Sequence, residues 1–175
     1  MTPGSKKTST LAGKPTLPGG SARIPLTGLL DVALEAMLAE FRVELGAGEF
    51  SDIRPTHGCV FRFVKEDGMR LTDLAELASI TKQSAGEIVD DLAERGYVKR
   101  IPDPEDRRAK LICLTGRGEE AQAHGFGLFA AVEKRWMERY GREKVEALRA
   151  TLEEIAATEA PGAVPELARP ELAHV

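Results

Sequence analysis

Apolar residues recur along this chain at two spacings, and the change from one to the other marks out its elements. Leu30, Leu34, Met37, Phe41 and Leu45 recur at steps of four and three, which draws one continuous stripe along a first long helix. Val145, Leu148, Leu152 and Ile155 repeat the a and d spacing of a helix–helix seam near the other end. Between these stripes, Leu74, Ala75, Leu77 and Ala78 share the buried side of a short helix, with Thr72 placed to cap it. Ser79, Ile80 and Thr81 then form a turn. Thr81 is placed to cap a second helix, in which Ala85, Ile88, Val89 and Leu92 follow i, i+3, i+4 and i+7, so one face packs inward and the other is free. Gly96 ends it.

After Gly96 the pattern shortens. Residues 97–101 and 110–114 are strand-like runs, and the PDPEDRRA between them favours a loop over continued pairing. They predict a hairpin with a charged tip. Two helices joined by a short turn place the second in the major groove of DNA, and the hairpin behind them makes the unit a winged helix-turn-helix. Thr115 opens a helix running to about residue 140, with Glu119 and Glu120 near the positive end of its dipole. Its apolar residues, including Phe126, Phe129, Val132 and Trp136, cover more than one stripe, so it links the winged unit to the terminal helices. A further helix begins near Pro55 and carries His57, Cys59, Val60, Phe61, Phe63 and Val64.

The expected fold is therefore mainly α with a small β-hairpin wing. One domain spans 24–159, with the winged unit at about 53–114 and dimerisation helices at about 26–45 and 115–157. The two terminal stripes are far apart in sequence and short for a single core, which favours packing in an intertwined homodimer. Residues 1–23, rich in Gly, Pro, Ser and Thr, and residues 160–175, with Pro161, Pro165 and Pro170, are expected to be flexible tails.

The run DLAERGYVKRIPDPEDRRAKLICLTGRGEE at 91–120 resembles the second half of the DNA-binding domain of MarR-type regulators. It has the Gly-Tyr-Val strand entry, the DPxDRRA wing and the LTxxG helix start in order; from about 30 to 155 the likeness is one of pattern and length. The resemblance implies a sequence-specific transcriptional repressor, acting as a homodimer on a pseudo-palindromic double-stranded operator. Dimerisation is expected through Leu30, Leu34, Met37, Val145, Leu148, Leu152 and Ile155. It also implies a small aromatic effector held between the first helix, the Pro55 helix and the linker helix. Phe41, His57, Phe61, Phe126 and Phe129 are its candidate lining, although apolar residues at helical spacing also serve plain core packing. Arg108 matches the family's wing-tip arginine, which enters the narrow, electronegative minor groove of A·T-rich DNA. Arg107 is then expected on the backbone, with Asp106 orienting either guanidinium. Peroxide-sensing relatives carry a reactive cysteine at the start of the first long helix, and this chain has none there.

Charge qualifies this picture. The 175 residues carry a formal net charge of −4, which disfavours general attraction to nucleic acid. Between Arg95 and Arg117 the balance reverses: Arg95, Lys99, Arg100, Arg107, Arg108, Lys110 and Arg117 face only Asp103, Glu105 and Asp106, a local +4. On the recognition helix, Thr81, Lys82, Gln83, Ser84 and Gly86 form the groove-facing N-terminal part. Gln83 is placed to read a base, Lys82 or Ser84 to hold phosphate, and Glu87 to accept from a cytosine amine. Asp90 and Glu94 repel phosphate, so only the first two turns are expected to enter the groove, with Arg100 joining the interface from the wing.

Other classes of function find little support. Nothing resembles a membrane span, the N-terminal segment lacks the apolar core of a signal peptide, and Cys59 and Cys113 make no disulfide framework, so a cytoplasmic protein is expected. Two residues apart on a helix, side chains diverge by about 200°, so His57 and Cys59 chelate poorly and neither metal nor cofactor is expected. Both cysteines sit in apolar surroundings, unlike an exposed sensor thiol. No spaced Ser/His/Asp set, phosphate loop or zinc-hydrolase motif suggests an enzyme. The alternative is a winged-helix module that contacts protein without specific DNA binding.

Overall fold

The computed structural model describes residues 23–106 and 108–159. The segments expected as tails lie outside the described residues, Arg23 apart. The chain opens with α1 (Leu26–Ala47), started by Pro25, whose restricted φ suits a helix entry, and closed by Gly48. A 3-10 turn (Pro55–His57) leads into α2 (Gly58–Phe63), close to where Pro55 predicts a helix. Then come β1 (Met69–Arg70), α3 (Leu71–Leu77), α4 (Lys82–Glu94), β2 (Val98–Pro102), β3 (Lys110–Leu114), α5 (Gly116–Tyr140) and α6 (Arg142–Glu159).

Local chemistry sets most of these boundaries. Thr81 stands extended before α4 and its side chain accepts the N–H of Ser84. Thr115 does the same for Gly118 at the start of α5. Caps of this kind contribute about 1 kcal/mol each. Gly96, at φ 77°, turns the chain out of α4 into the wing in the left-handed conformation that glycine adopts without cost. Thr72, by contrast, does not cap α3. The helix begins two residues earlier than such a cap implies, at Leu71, behind an extended Arg70 that makes no side-chain cap, and the Thr72 hydroxyl bonds to Asp73 instead. The reason is β1, which holds Arg70 in strand geometry and hands the chain directly into the helix.

The wing hairpin supplies the central and one outer strand of a three-stranded antiparallel sheet in the order β1-β3-β2, with Met69 opposite Ile112 and Val98 opposite Leu114. The first wing strand starts at Val98 because Tyr97 leaves the ladder: its N–H bonds back to Leu92 of α4 and its carbonyl accepts the N–H of Thr115. Tyr97 is fully buried among Leu74, Val89, Leu92 and Ile112, at the junction of helix pair, sheet and α5.

Helix α5 carries this unit to the terminal helices. It lies against α1 through the stacked rings of Phe41 and Phe129, with centroids 4.2 Å apart. Arg135 reinforces the contact at 3.0 Å from Glu40 and 2.6 Å from Glu44. Helix α6 also lies against α5 and contributes no buried residue, so the stripes of α1 and α6 have no extended contact within one chain. Among the described residues no helix is long and apolar enough to cross a membrane, and no three His, Cys, Asp or Glu side chains are grouped to hold a metal ion.

Candidate nucleic-acid interface

The exposed side of α4 begins at its capped end. Ser84 shares its hydroxyl with Thr81 at 2.9 Å, Lys82 is exposed, and Gln83 Nε2 donates to Glu87 Oε1 at 3.1 Å. Gln83 and Glu87, expected to read bases separately, are thus paired along one helix face. Gly86 stands apart from this group. It is half-buried one turn beyond Lys82, and a Cβ there would lie 3.8 Å from Leu71 of α3.

The acidic trailing edge of the helix is partly neutralised by the wing. Arg100, expected to face DNA, points back to α4 and meets Asp90 at 2.7 Å. At the base of the wing loop, the buried Asp103 accepts the N–H of Glu105 and the guanidinium of Arg70. Those two contacts, the amide of Glu105 first, hold its carboxyl below the usual range. The loop beyond is closed by Asp106, whose carboxylate accepts the backbone N–H of Arg108 at 3.0 Å. Asp106 therefore shapes the turn through the backbone, a different contact from the guanidinium bond expected of it. Arg108 is exposed at the tip, and Arg107 lies outside the described residues.

Behind α4 runs a network of polar groups. His57 is buried; its Nδ1 accepts the N–H of Arg54 at 3.1 Å and its Nε2 lies 2.8 Å from Asp91. Since Nδ1 accepts, Nε2 carries the hydrogen. Burial pushes the imidazole pKa below its ordinary value, against the opposing pull of Asp91. Asp91 also binds Arg95, which lowers the carboxyl's pKa most. Arg95 reaches Asp52, and Asp52 accepts the Tyr97 hydroxyl at 2.6 Å. Arg117 of α5 donates to that hydroxyl at 3.1 Å. The chain of contacts joins the Pro55 turn, the recognition helix, the wing entry and the linker helix. Asp52, Arg54, Asp91 and Arg70 are absent from the expected site, because each meets a partner more than thirty residues away and no local spacing signals it.

The residues expected to line an effector site make several separate contacts. Phe41 and Phe129 come together but stack directly on each other. Phe61 meets Tyr97 edge-on, and Phe126 is half-buried on α5. His57 is buried against α4 instead, with Nε2 at Asp91 of that helix and Nδ1 taking the N–H of Arg54 in its own turn. The half-buried Cys59 thiol bonds to the Thr56 carbonyl and is pushed up in pKa by burial, while Cys113 is buried in β3. Of the expected dimer residues, Leu30, Leu34, Leu148, Leu152 and Ile155 are exposed, while Met37 and Val145 are half-buried.

Comparison with known proteins places this geometry among regulators of transcription. The MarR family profile matches residues 51–109. The HTH-type transcriptional regulator FarR of Neisseria gonorrhoeae is 30% identical over 135 residues, which cover 73% of this chain and 86% of FarR. Transcriptional regulator HosA of Escherichia coli O111:H- is 27% identical over 93 residues, 53% of this chain and 69% of HosA. Among solved structures, CouR from Rhodococcus jostii RHA1 bound to p-coumaroyl-CoA superposes with a TM-score of 0.61 at 26% identity, covering 76% of this chain and 92% of CouR.

Proposed function

Since the chain belongs to the MarR family of transcriptional regulators, we propose that it is a homodimeric repressor that binds a pseudo-palindromic double-stranded operator in the cytoplasm. The observation that carries this reading is the pairing of two exposed elements: the capped end of α4 with Lys82 and Gln83, and a wing whose tip presents Arg108. The helix supplies base contacts in the major groove, and the wing arginine supplies the neighbouring minor groove.

The apolar residues left exposed on α1 and α6 support dimerisation. Leu30, Leu34, Leu148, Leu152 and Ile155 are costly to leave in water and lie on the helices that flank α5. Two copies joined there carry two recognition helices to successive half-sites about one helical turn apart. A small aromatic effector that binds better to one separation of the winged units shifts the population toward or away from DNA binding. CouR, with its bound p-coumaroyl-CoA, makes an aromatic acyl ligand the first class to screen.

The test is enrichment of genomic fragments on the purified chain, followed by sedimentation of the complex. Recovery of a two-fold symmetric site bound by two chains is the expected result. Failure to enrich any sequence, with a folded protein, overturns the reading in favour of a protein-contact module. Release of the operator by phenolic and other aromatic compounds tests the effector in the same assay.

A further inference from the structure

An open depression of 310 Å³ lies beside α4, walled by Arg54 and Thr56 on one side and by Ser84 and Glu87 on the other, with His57 and Asp91 also lining it. We propose that this depression seats a phosphate of the DNA backbone and that Arg54 is the side chain that holds it. The proposal rests on the reading of the chain as a DNA-binding regulator and extends the interface to a segment not assigned to it.

The geometry follows from dimensions. A helix with its side chains is about 10–12 Å across, and the major groove is about 12 Å wide. Once α4 occupies the groove, whatever packs beside its first turns meets the groove wall, which is phosphate. Arg54 and Thr56 are in that position, because they share one concavity with Ser84 and Glu87 of α4.

The chemistry fits an anion. Arg54 has a fixed base and a free head: its backbone N–H is bonded to His57 Nδ1 at 3.1 Å, while its side chain is 63% exposed. In the free protein the guanidinium rests 3.4 Å from Asp91, a loose and hydrated pair of little net worth. Asp91 keeps its other partners when Arg54 leaves, namely Arg95 at 3.0 Å and His57 at 2.8 Å, so the move strands no charge. Glu87 on the opposite wall repels phosphate, and the guanidinium offsets it. The Thr56 hydroxyl adds a neutral donor on the same side.

A contact to phosphate has a signature that a structural role lacks. It weakens binding to all sequences alike, and it removes about 0.9 from the slope of log affinity against log salt. The probe is a duplex of about 30 bp enriched from a randomised pool by the wild-type chain, long enough for two half-sites. Arg54→Gln is expected to lower affinity roughly thirtyfold at about 0.15 M salt, the factor that two released counterions, one per subunit of the dimer, are worth there, and to flatten the slope by about two. Arg54→Lys should keep the wild-type slope, and both variants should keep the wild-type base preference. A slope for Arg54→Gln equal to wild type overturns the proposal while leaving DNA binding intact. A slope that falls equally in Arg54→Lys overturns it too, since loss of fold and not of charge is then responsible. A pool that yields no enriched duplex overturns this proposal together with the reading on which it rests.

Discussion

Buried His57 gives its Nε2 hydrogen to Asp91 at 2.8 Å, bridging thirty-four residues to join the Pro55 turn to the recognition helix. The opposite nitrogen accepts the N–H of Arg54, so a second proton on the ring would bring two N–H groups face to face at 3.1 Å. The pair therefore works only with a neutral imidazole.

This makes stability depend on pH in a defined direction. Burial, the largest influence, lowers the pKa of His57 from 6.5, so the unfolded chain takes up the proton first as pH falls. The contribution is complete above 6.5 and declines below it. Asp91 is lowered from 3.8, chiefly by Arg95, and loses its contribution only in more acid solution, so the two windows separate. The urea midpoint of the wild type is expected to fall from about pH 7 to about pH 5. His57→Gln should be less stable at the upper pH and flatter across the window; curves that run parallel would remove His57 as the source.

At Tyr97 the same network reaches the linker helix. The hydroxyl donates to Asp52 at 2.6 Å and accepts from Arg117 at 3.1 Å, while the Arg117 guanidinium lies 4.7 Å over the ring. Tyr97→Phe keeps the ring packing and removes both bonds, leaving Asp52 with Arg95 and water as its partners. The expected loss is about 1–3 kcal/mol with no change in denaturant slope. An unaltered midpoint would mean that water replaces the hydroxyl at both partners.

The glycines of α5 separate space from propensity. A Cβ on Gly118 would sit 2.0 Å from the carbonyl oxygen of Tyr97, so the first turn of α5 must move away from the wing. Gly118→Ala should cost more than about 2 kcal/mol, the range of overpacked sites. Gly125 and Gly127 meet nothing within 4 Å, and alanine at either should stabilise the helix by about 0.5–1 kcal/mol. Thermal unfolding of the three variants checks both signs at once, and equal effects would place Gly118 in open space.

These contrasts show what a linear reading reaches. Thr81, Thr115 and Gly96 act within three residues of their own positions, so their roles were legible in order and type. The wing strands were legible because Lys110–Leu114 and its partner are joined by one short loop. The two-residue β1 carries no period, and without it Thr72 looked like the cap of α3. His57 looked like part of an effector lining for a related reason: helical spacing says which residues share a face, and only the packed neighbour says what that face meets. Arg100 and Asp90 illustrate the same limit, since opposite charges ten positions apart pair only after Gly96 has folded the wing back on the helix.

That last pair sets the balance of DNA docking. In the free protein Asp90 holds Arg100 at 2.7 Å, and Gln83 is bonded to Glu87 at 3.1 Å, so two groups expected at the interface are engaged elsewhere. Base reading by Gln83 requires the Glu87 bond to open, and Gln83→Ala should change preference at one base position per half-site, by about 1–3 kcal/mol. Asp90→Asn removes one repelling charge from each subunit and frees Arg100 for phosphate in both, so affinity should rise for every sequence and the salt slope steepen by about two. Arg108→Ala should weaken binding most at sites with A·T-rich flanks. Selection from a randomised duplex pool, repeated at two salt concentrations, reads all three. If Gln83→Ala kept the wild-type preference while Asp90→Asn altered it at several bases, the helix would enter the groove by its middle, and the docking described here would be wrong.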